Sequence, residues 1–301
     1  MVSPNDRLRL PPPWISPAAG MPDREVRPVI IVQRRRLLYP AYVQDYLDRV
    51  TAADVAAGNT SGLELGVTDG ANTFIQDLVN DGLLGVSGGV ISQAASVIKA
   101  SVPMAGARTR LGAMTPLVGP APTSFNFGDN DYNRKTGLAG NGLDKYLNSN
   151  RNNNADPQNS NHLSVYASTV GSPGSMFICS THVPLQTGQT QILHGGNGTF
   201  FHRSRSATGT SNGSSMTPGL SGISRSTNTQ YIARNATTSF TISVASDGLA
   251  SDSLEVYRRN GQSIGYSDAR LAFYSIGESL DLAILDARVT ALINAYAAAI
   301  P

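Results

Sequence analysis

The sequence predicts a mainly β protein with added helix, built as a sandwich or barrel. An extended proline-rich arm and a small helical module precede the β region, and a helix closes the chain. Three observations carry this reading. Between Phe125 and Ser168 a dense run of asparagine and glycine passes directly into an alternating apolar strand. Only 15% of the residues are charged against 40% hydrophobic, with 30 glycines among 301 residues, a turn-rich composition. Short runs of β-branched and aromatic residues then recur between Gly, Asn and Ser turns through most of the second half.

Residues 1–40 hold 8 of the 17 prolines, including PPPW at 11–14, and a basic triplet near their end. Proline fixes φ and removes donors, so this segment cannot build a core alone. It reads as an arm docked on another protein, with Trp14 and Ile15 as apolar anchors and Arg34, Arg35 and Arg36 as charged ones. Residues 41–105 read as a small helical module. Val43, Leu47 and Val50 form one stripe that Gly58 stops, and a second helix, capped by Thr68 or Asp69, runs through Phe74, Ile75, Leu78 and Val79. VISQAASVIKAS gives a third short helical pattern. Residues 106–124 have the proline and glycine content of a linker.

Residues 125–301 carry the β domain. Candidate strands are KYLNS, HLSVYAS, SMFICS, QILHG, SGISRS, TQYIARN, SFTISVAS, LEVYRRN and ARLAFYSIG. In the first long strand, Leu163, Val165 and Ala167 share one face and His162, Ser164, Tyr166 and Ser168 the other, so the apolar face belongs against a second sheet. Upstream, RNNNADPQNSN suits tight exposed turns, because side-chain amides bond neighbouring backbone groups and tolerate left-handed conformations. The closing helix has Ser279 as its cap, Asp281 in its first turn, and Leu282, Leu285, Val289, Leu292 and Tyr296 on one face.

The totals narrow the function. A formal net charge of +2, with lysine confined to Lys99, Lys135 and Lys145, is too weak and scattered for nucleic-acid binding. The single cysteine, Cys179, permits no internal disulfide and reads as a small buried thiol in MFICS. No window approaches the roughly 18 consecutive apolar residues of a membrane span, and the first residues lack a secretion signal. The expectation is a product made soluble in the cytoplasm, without membrane insertion.

Catalytic patterns fail on context. GTSNG at 209–213 matches a nucleophile-elbow string, yet its surroundings read as a loop. Asp129, Asp131 and Asn133 have the alternate spacing that opens a calcium loop, but Arg134 stands where glycine is needed and Gly140 where the bidentate glutamate belongs. His162, His182, His194 and His202 lack metal-ligand spacing and read as solvent-facing strand or turn residues. Asp247, Asp252, Glu255 and Asp268 are dispersed among turns. The sequence therefore predicts no enzyme, no metal and no cofactor.

Three stretches carry a family resemblance. DYNRKTGLAGNGLDKYLNSNRNNNADPQNSNHLSVYAS resembles the opening of the concanavalin A-like, laminin-G-like jelly roll found in bacteriophage tail and virion proteins. ARLAFYSIGESLDLAILDARVTALINAYAAAI is similar to its closing strand and terminal helix, and IKASVPMAGARTRLGAMTPLVGPAPTSFNF to the preceding linker. The resemblance covers about 99–300. It implies a noncatalytic virion structural protein, a tail fibre, tail-tip or baseplate appendage, displaying a lectin-like domain for host attachment. Other virion proteins would bind through the arm, and the chain would form a homo-oligomer. Host-surface carbohydrate would meet loop amides and aromatic faces at Asn152, Asn153, Asn154, Asp156, Tyr231, Tyr257 and Tyr266. The alternatives are a capsid decoration or connector protein that binds no ligand, and a glycan depolymerase.

Overall fold

A computed structural model describes residues 39–180, 187–259 and 265–301. The expected arm anchors Trp14, Ile15, Arg34, Arg35 and Arg36 lie outside the described residues, as do His182 and the Cys179 side chain.

The described chain opens with helices α1 (Ala41–Ala56) and α2 (Leu65–Asn80). Strands β1 (Gly85–Ser87), β2 (Val90–Ser92) and β3 (Ile98–Pro103) follow, then a single helical turn, α3 (Arg110–Ala113). The next strands are β4 (Thr123–Phe125), β5 (Tyr132–Asn133), β6 (Gly137–Ala139), β7 (Tyr146–Asn152), β8 (Asn161–Thr169) and β9 (Met176–Ser180). They continue as β10 (Gln189–His194), β11 (Thr199–Ser206), β12 (Thr210–Ser215), β13 (Gly219–Arg225), β14 (Tyr231–Asn235) and β15 (Thr238–Ile242). Strands β16 (Ser253–Val256) and β17 (Arg270–Gly277) and helix α4 (Leu282–Ala299) complete the chain.

The protein is a mainly β sandwich with a few helices and a C-terminal helix. Among the described residues an inner sheet runs β15-β14-β13-β8-β17-β6-β5, with β3 sharing the edge of β17 beside β6, and an outer sheet runs β12-β11-β10-β9-β16-β7-β4. The named pairings are antiparallel. Leu163, Val165 and Ala167 of β8 lie between the sheets with Phe177, Ile178, Ile192 and Phe200, as their alternation requires.

The other face of the inner sheet is covered by helix. Leu220, Ala272 and Phe273 pack with Phe74 of α2 and Leu285, Val289 and Tyr296 of α4, and no outer-sheet residue belongs to this cluster among those described. Helices α2 and α4 meet closely at Gly66 and Gly70. An added Cβ would stand 2.7 Å from the Ala299 Cβ at the first and 3.0 Å from the Ala295 Cβ at the second. By length and composition α4 is apolar enough to cross a membrane, but here Leu285, Val289, Leu292 and Tyr296 lie in this core and Leu282 is buried as well.

Several local expectations change. VISQAASVIKAS is not helical: Val90–Ser92 pairs with β1, and Ile98–Pro103 takes the free edge of β17, where tertiary pairing overrides a weak helical period. Glu64, not Thr68 or Asp69, holds the α2 cap position, while Asp281 rather than Ser279 caps α4 by accepting from the Ala283 amide at 2.7 Å. GTSNG is not a loop: all but its first glycine lies on edge strand β12.

The histidines correct a larger expectation. His162, His194 and His202 are buried, not solvent-facing. His162 Nδ1 donates to the Glu278 carbonyl at 2.6 Å and its Nε2 accepts from the Ser275 hydroxyl at 2.9 Å. His202 Nδ1 shares a 2.9 Å hydrogen bond with the Tyr231 hydroxyl inside the sandwich. Burial pulls both imidazoles down to about 4, so both are neutral at pH 7.

Candidate binding surface

Strand β7 builds a polar surface on the outer sheet. Leu147 and Ser149 face inward, Ser149 donating to the Leu254 carbonyl at 2.6 Å, which turns Tyr146 and Asn148 outward. Pairing with β4 sets Phe125 beside Tyr146 and Thr123 beside Asn148. Toward the end of β7 the register with β16 shifts, and Asn150 adopts φ +54°, a left-handed conformation that asparagine tolerates. Its amide nitrogen donates to the Ala121 carbonyl at 2.8 Å and the Thr123 hydroxyl at 3.0 Å.

Beyond it, Asn152 and Asn154 are exposed, and their side-chain amides have no protein partner among the described residues. With Gln93, Pro120, Asn150 and Arg151 they line an open depression of about 640 Å³. From Tyr146 to Asn152 the row extends for about 20 Å at the rise of a strand.

Buried groups hold this loop from beneath. Asn153 is closed in: its amide donates to the Gly188 carbonyl at 2.7 Å and its carbonyl oxygen accepts from the Thr190 hydroxyl at 2.7 Å. Arg151 grips the buried Asp156 carboxylate with contacts of 3.1 and 2.5 Å. Arg205, 2% exposed and at φ +46°, donates to the Asp156 carbonyl at 2.8 Å and to the carbonyls of Asn153 and Pro157. Burial lowers the Arg205 guanidinium to about 10, where it is still charged at pH 7, and Asp156 nearby opposes that shift.

The opposite end of the row is aromatic. The rings of Phe125 and Tyr146 stack at 4.2 Å and 5°, and the Arg258 guanidinium carbon lies 3.5 Å from the Tyr146 ring centroid. Tyr266 stands 6.3 Å from Tyr146, its hydroxyl accepting from Arg258 Nη1 at 3.3 Å, and Glu255 grips Arg258 at 2.5 and 3.0 Å. Tyr146 is thus covered on both ring faces, while Phe125 is 37% exposed. Burial, opposed by Arg258, raises the Tyr146 phenol.

Of the residues expected to touch a glycan, Asn152, Asn154 and Tyr266 are reachable from solvent. Asn153 and Asp156 are used inside the loop. Tyr231 and Tyr257 are core: Tyr231 sits under Arg225 against His202, and the Tyr257 hydroxyl donates to the Leu138 carbonyl at 2.5 Å. Sequence reading missed Phe125, Tyr146, Asn148, Asn150 and Arg258. The alternation in KYLNSN already put Tyr146, Asn148 and Asn150 on one face, whereas the stacking on Phe125 and Arg258 joins positions distant in sequence. The calcium-like spacing is spent on ion pairs, Asp131 with Lys145 at 2.5 Å and Asp129 with Arg110 at 3.2 Å.

No protein-family model matches the chain, and no curated protein does. Among solved structures, Trypanosoma rangeli sialidase in complex with sialic acid is similar at TM-score 0.44 and 8% identity over 75% of this chain and 37% of its own. A sialidase from Streptococcus pneumoniae (the K499G mutant of NanB) is similar at 0.36 and 11%, over 49% of this chain and 27% of its own. Domain 4 of a GH43 extracellular arabinanase from Geobacillus stearothermophilus, in complex with arabinotriose, is similar at 0.37 and 13%, over 58% of this chain and 83% of that domain. The chain therefore spans between a quarter and two fifths of the length of these sialidases. Because these neighbours are glycoside-cleaving enzymes or parts of one, the expectation that the chain is no enzyme is withdrawn. Likeness at these scores assigns the chain no reaction, substrate or catalytic residue.

Proposed function

We propose that this chain is a bacteriophage virion structural protein, a tail fibre, tail-tip or baseplate appendage, whose sandwich holds host-surface carbohydrate on the outer sheet. The observation that carries the binding part is the pair of unpartnered amides, Asn152 and Asn154, at the mouth of a depression held rigid by Arg205 and Asn153. Amide donors and acceptors match sugar hydroxyls, and a loop whose backbone is held beforehand loses less entropy on binding. Phe125 adds an exposed apolar ring at the far end of the same row.

The jelly-roll reading of the sandwich is supported by its connections. The chain leaves β7 in the outer sheet for β8 in the inner, returns for β9 to β12, crosses to β13 to β15, and crosses twice more through β16 and β17. The virion reading rests on the sequence resemblance, with residues 1–40 as the attachment and the appendage formed by several copies.

Adhesion of the purified protein to host cells and to their isolated surface polysaccharide tests the proposal, with release of reducing ends followed in the same tubes. Saturable retention supports it, and no retention on either surface sinks it. Deleting residues 1–40 tests the attachment: full incorporation of the truncated protein into particles would overturn that part.

A further inference from the structure

On the helical side of the molecule three arginines meet around a pocket of about 240 Å³ between the end of α1, α3 and β5. Arg108, Arg110 and Arg134 line it with Ala57, Tyr132 and Asp129. The acids behind the wall are already engaged. Asp54 accepts from the Arg108 amide at 2.9 Å and from the Thr109 amide and hydroxyl at 2.8 and 2.7 Å. Glu64 accepts from Arg134 at 2.8 and 2.5 Å and pairs with Arg108 at 2.9 Å.

Arg134 is largely engaged, with four of its five N–H donors used, since its Nε bonds the Ala107 carbonyl at 2.9 Å and its Nη2 also reaches the Gly106 carbonyl at 3.2 Å. The outer nitrogens differ. Arg108 Nη2 and both Nη atoms of Arg110 have no protein acceptor among the described residues. The lining acid, Asp129, touches Arg110 through one 3.2 Å contact to Nε while its side chain is 87% exposed. Such a surface pair is weak and readily exchanged.

We propose that this pocket is a binding site for a small oxyanion, a carboxylate, sulfate or phosphate group, held by the free guanidinium nitrogens of Arg108 and Arg110. Guanidinium groups suit this ligand because their planar forks match two oxygens at once. Glu64 and Asp54 fix the backbone and Arg134, so the site is formed before the ligand arrives, and the Asp129 carboxylate occupies it loosely until displaced. The site is independent of the amide row on the outer sheet.

Isothermal titration of the full chain, at constant ionic strength in chloride, with sulfate, phosphate, acetate and a free uronic acid tests it. The expected result is saturable binding of at least one of these anions. It weakens about tenfold in Arg110→Gln, which loses a charge-assisted contact, and tightens in Asp129→Asn, which removes the competing carboxylate. Preference for the uronic acid identifies an acidic saccharide as the source of the oxyanion, and preference for sulfate or phosphate a tetrahedral anion. Heats that follow ionic strength alone, or equal binding by the wild type and both variants, would overturn the proposal.

Discussion

The inner and outer sheets are made of the same alternating strands, yet they use their second faces in opposite ways. On the inner sheet, His162, Ser164 and Ser275 form a closed polar network, Ser164 and Ser275 sharing a 2.8 Å hydrogen bond, beneath the helices. On the outer sheet the second face carries Tyr146, Asn148 and the exposed amides at the end of β7. Polar residues on one side of a strand therefore do not by themselves mark a wet surface. They are buried wherever their groups can pair, and are open to a ligand where they do not.

The largest test of this contrast exchanges one aromatic on each side. Phe273, fully buried and edge-on to Phe74 at 6.1 Å, should cost about 3–5 kcal/mol as Phe273→Ala in urea unfolding. Phe125→Ala on the outer sheet should cost under about 1 kcal/mol. Equal costs would break the contrast.

Next comes the support beneath the amides. Arg205→Met leaves the carbonyls of Asn153, Asp156 and Pro157 without their buried donor and should cost about 2–4 kcal/mol. Hydrogen exchange should quicken around 150–157 while β8 and β17 stay protected.

The buried histidines give a smaller, graded effect. Their folded pKa values, about 4, lie below the unfolded value near 6.5, so the folded state binds fewer protons. Their contribution is fully present above pH 6.5 and is lost as pH falls from 6.5 toward 4, by up to about 1.4 kcal/mol per pH unit for each histidine. His162→Gln should flatten that slope by about half, read from urea midpoints between pH 7 and 4.5. An unchanged slope would place the titration elsewhere.

The smallest effect on stability belongs to the proposed contacts themselves. Asn152→Ala with Asn154→Ala should leave the urea midpoint within about 0.5 kcal/mol of wild type, as for other exposed positions, while retention on host polysaccharide falls.

Much of the scaffold was legible in sequence because its signals are local. The 163/165/167 alternation and the 282/285/289/292/296 period each lie within one element, and burial follows them. Pairing across the chain was not legible. Strands β11 and β12 carry polar residues such as Arg203, Arg205 and the TSNG of 210–213, whose strand character comes from β11 lying beside β10 and β12 beside β11. Arg205 reads as a surface charge until the carbonyls of a loop some fifty residues earlier close around it. The same blindness put Tyr231 and Tyr257 among ligand contacts and left out Tyr146, whose partners come from β4 and the segment after β16.

Carbohydrate binding by the outer sheet is read out by the backbone and side-chain amide chemical shifts of the full chain, followed while fragments of host surface polysaccharide are titrated in. Saturable shifts are expected in the Asn148, Asn150, Asn152 and Asn154 side chains, with Phe125 responding at the far end and the inner sheet silent. Saturable shifts that map elsewhere and spare these asparagines would contradict it.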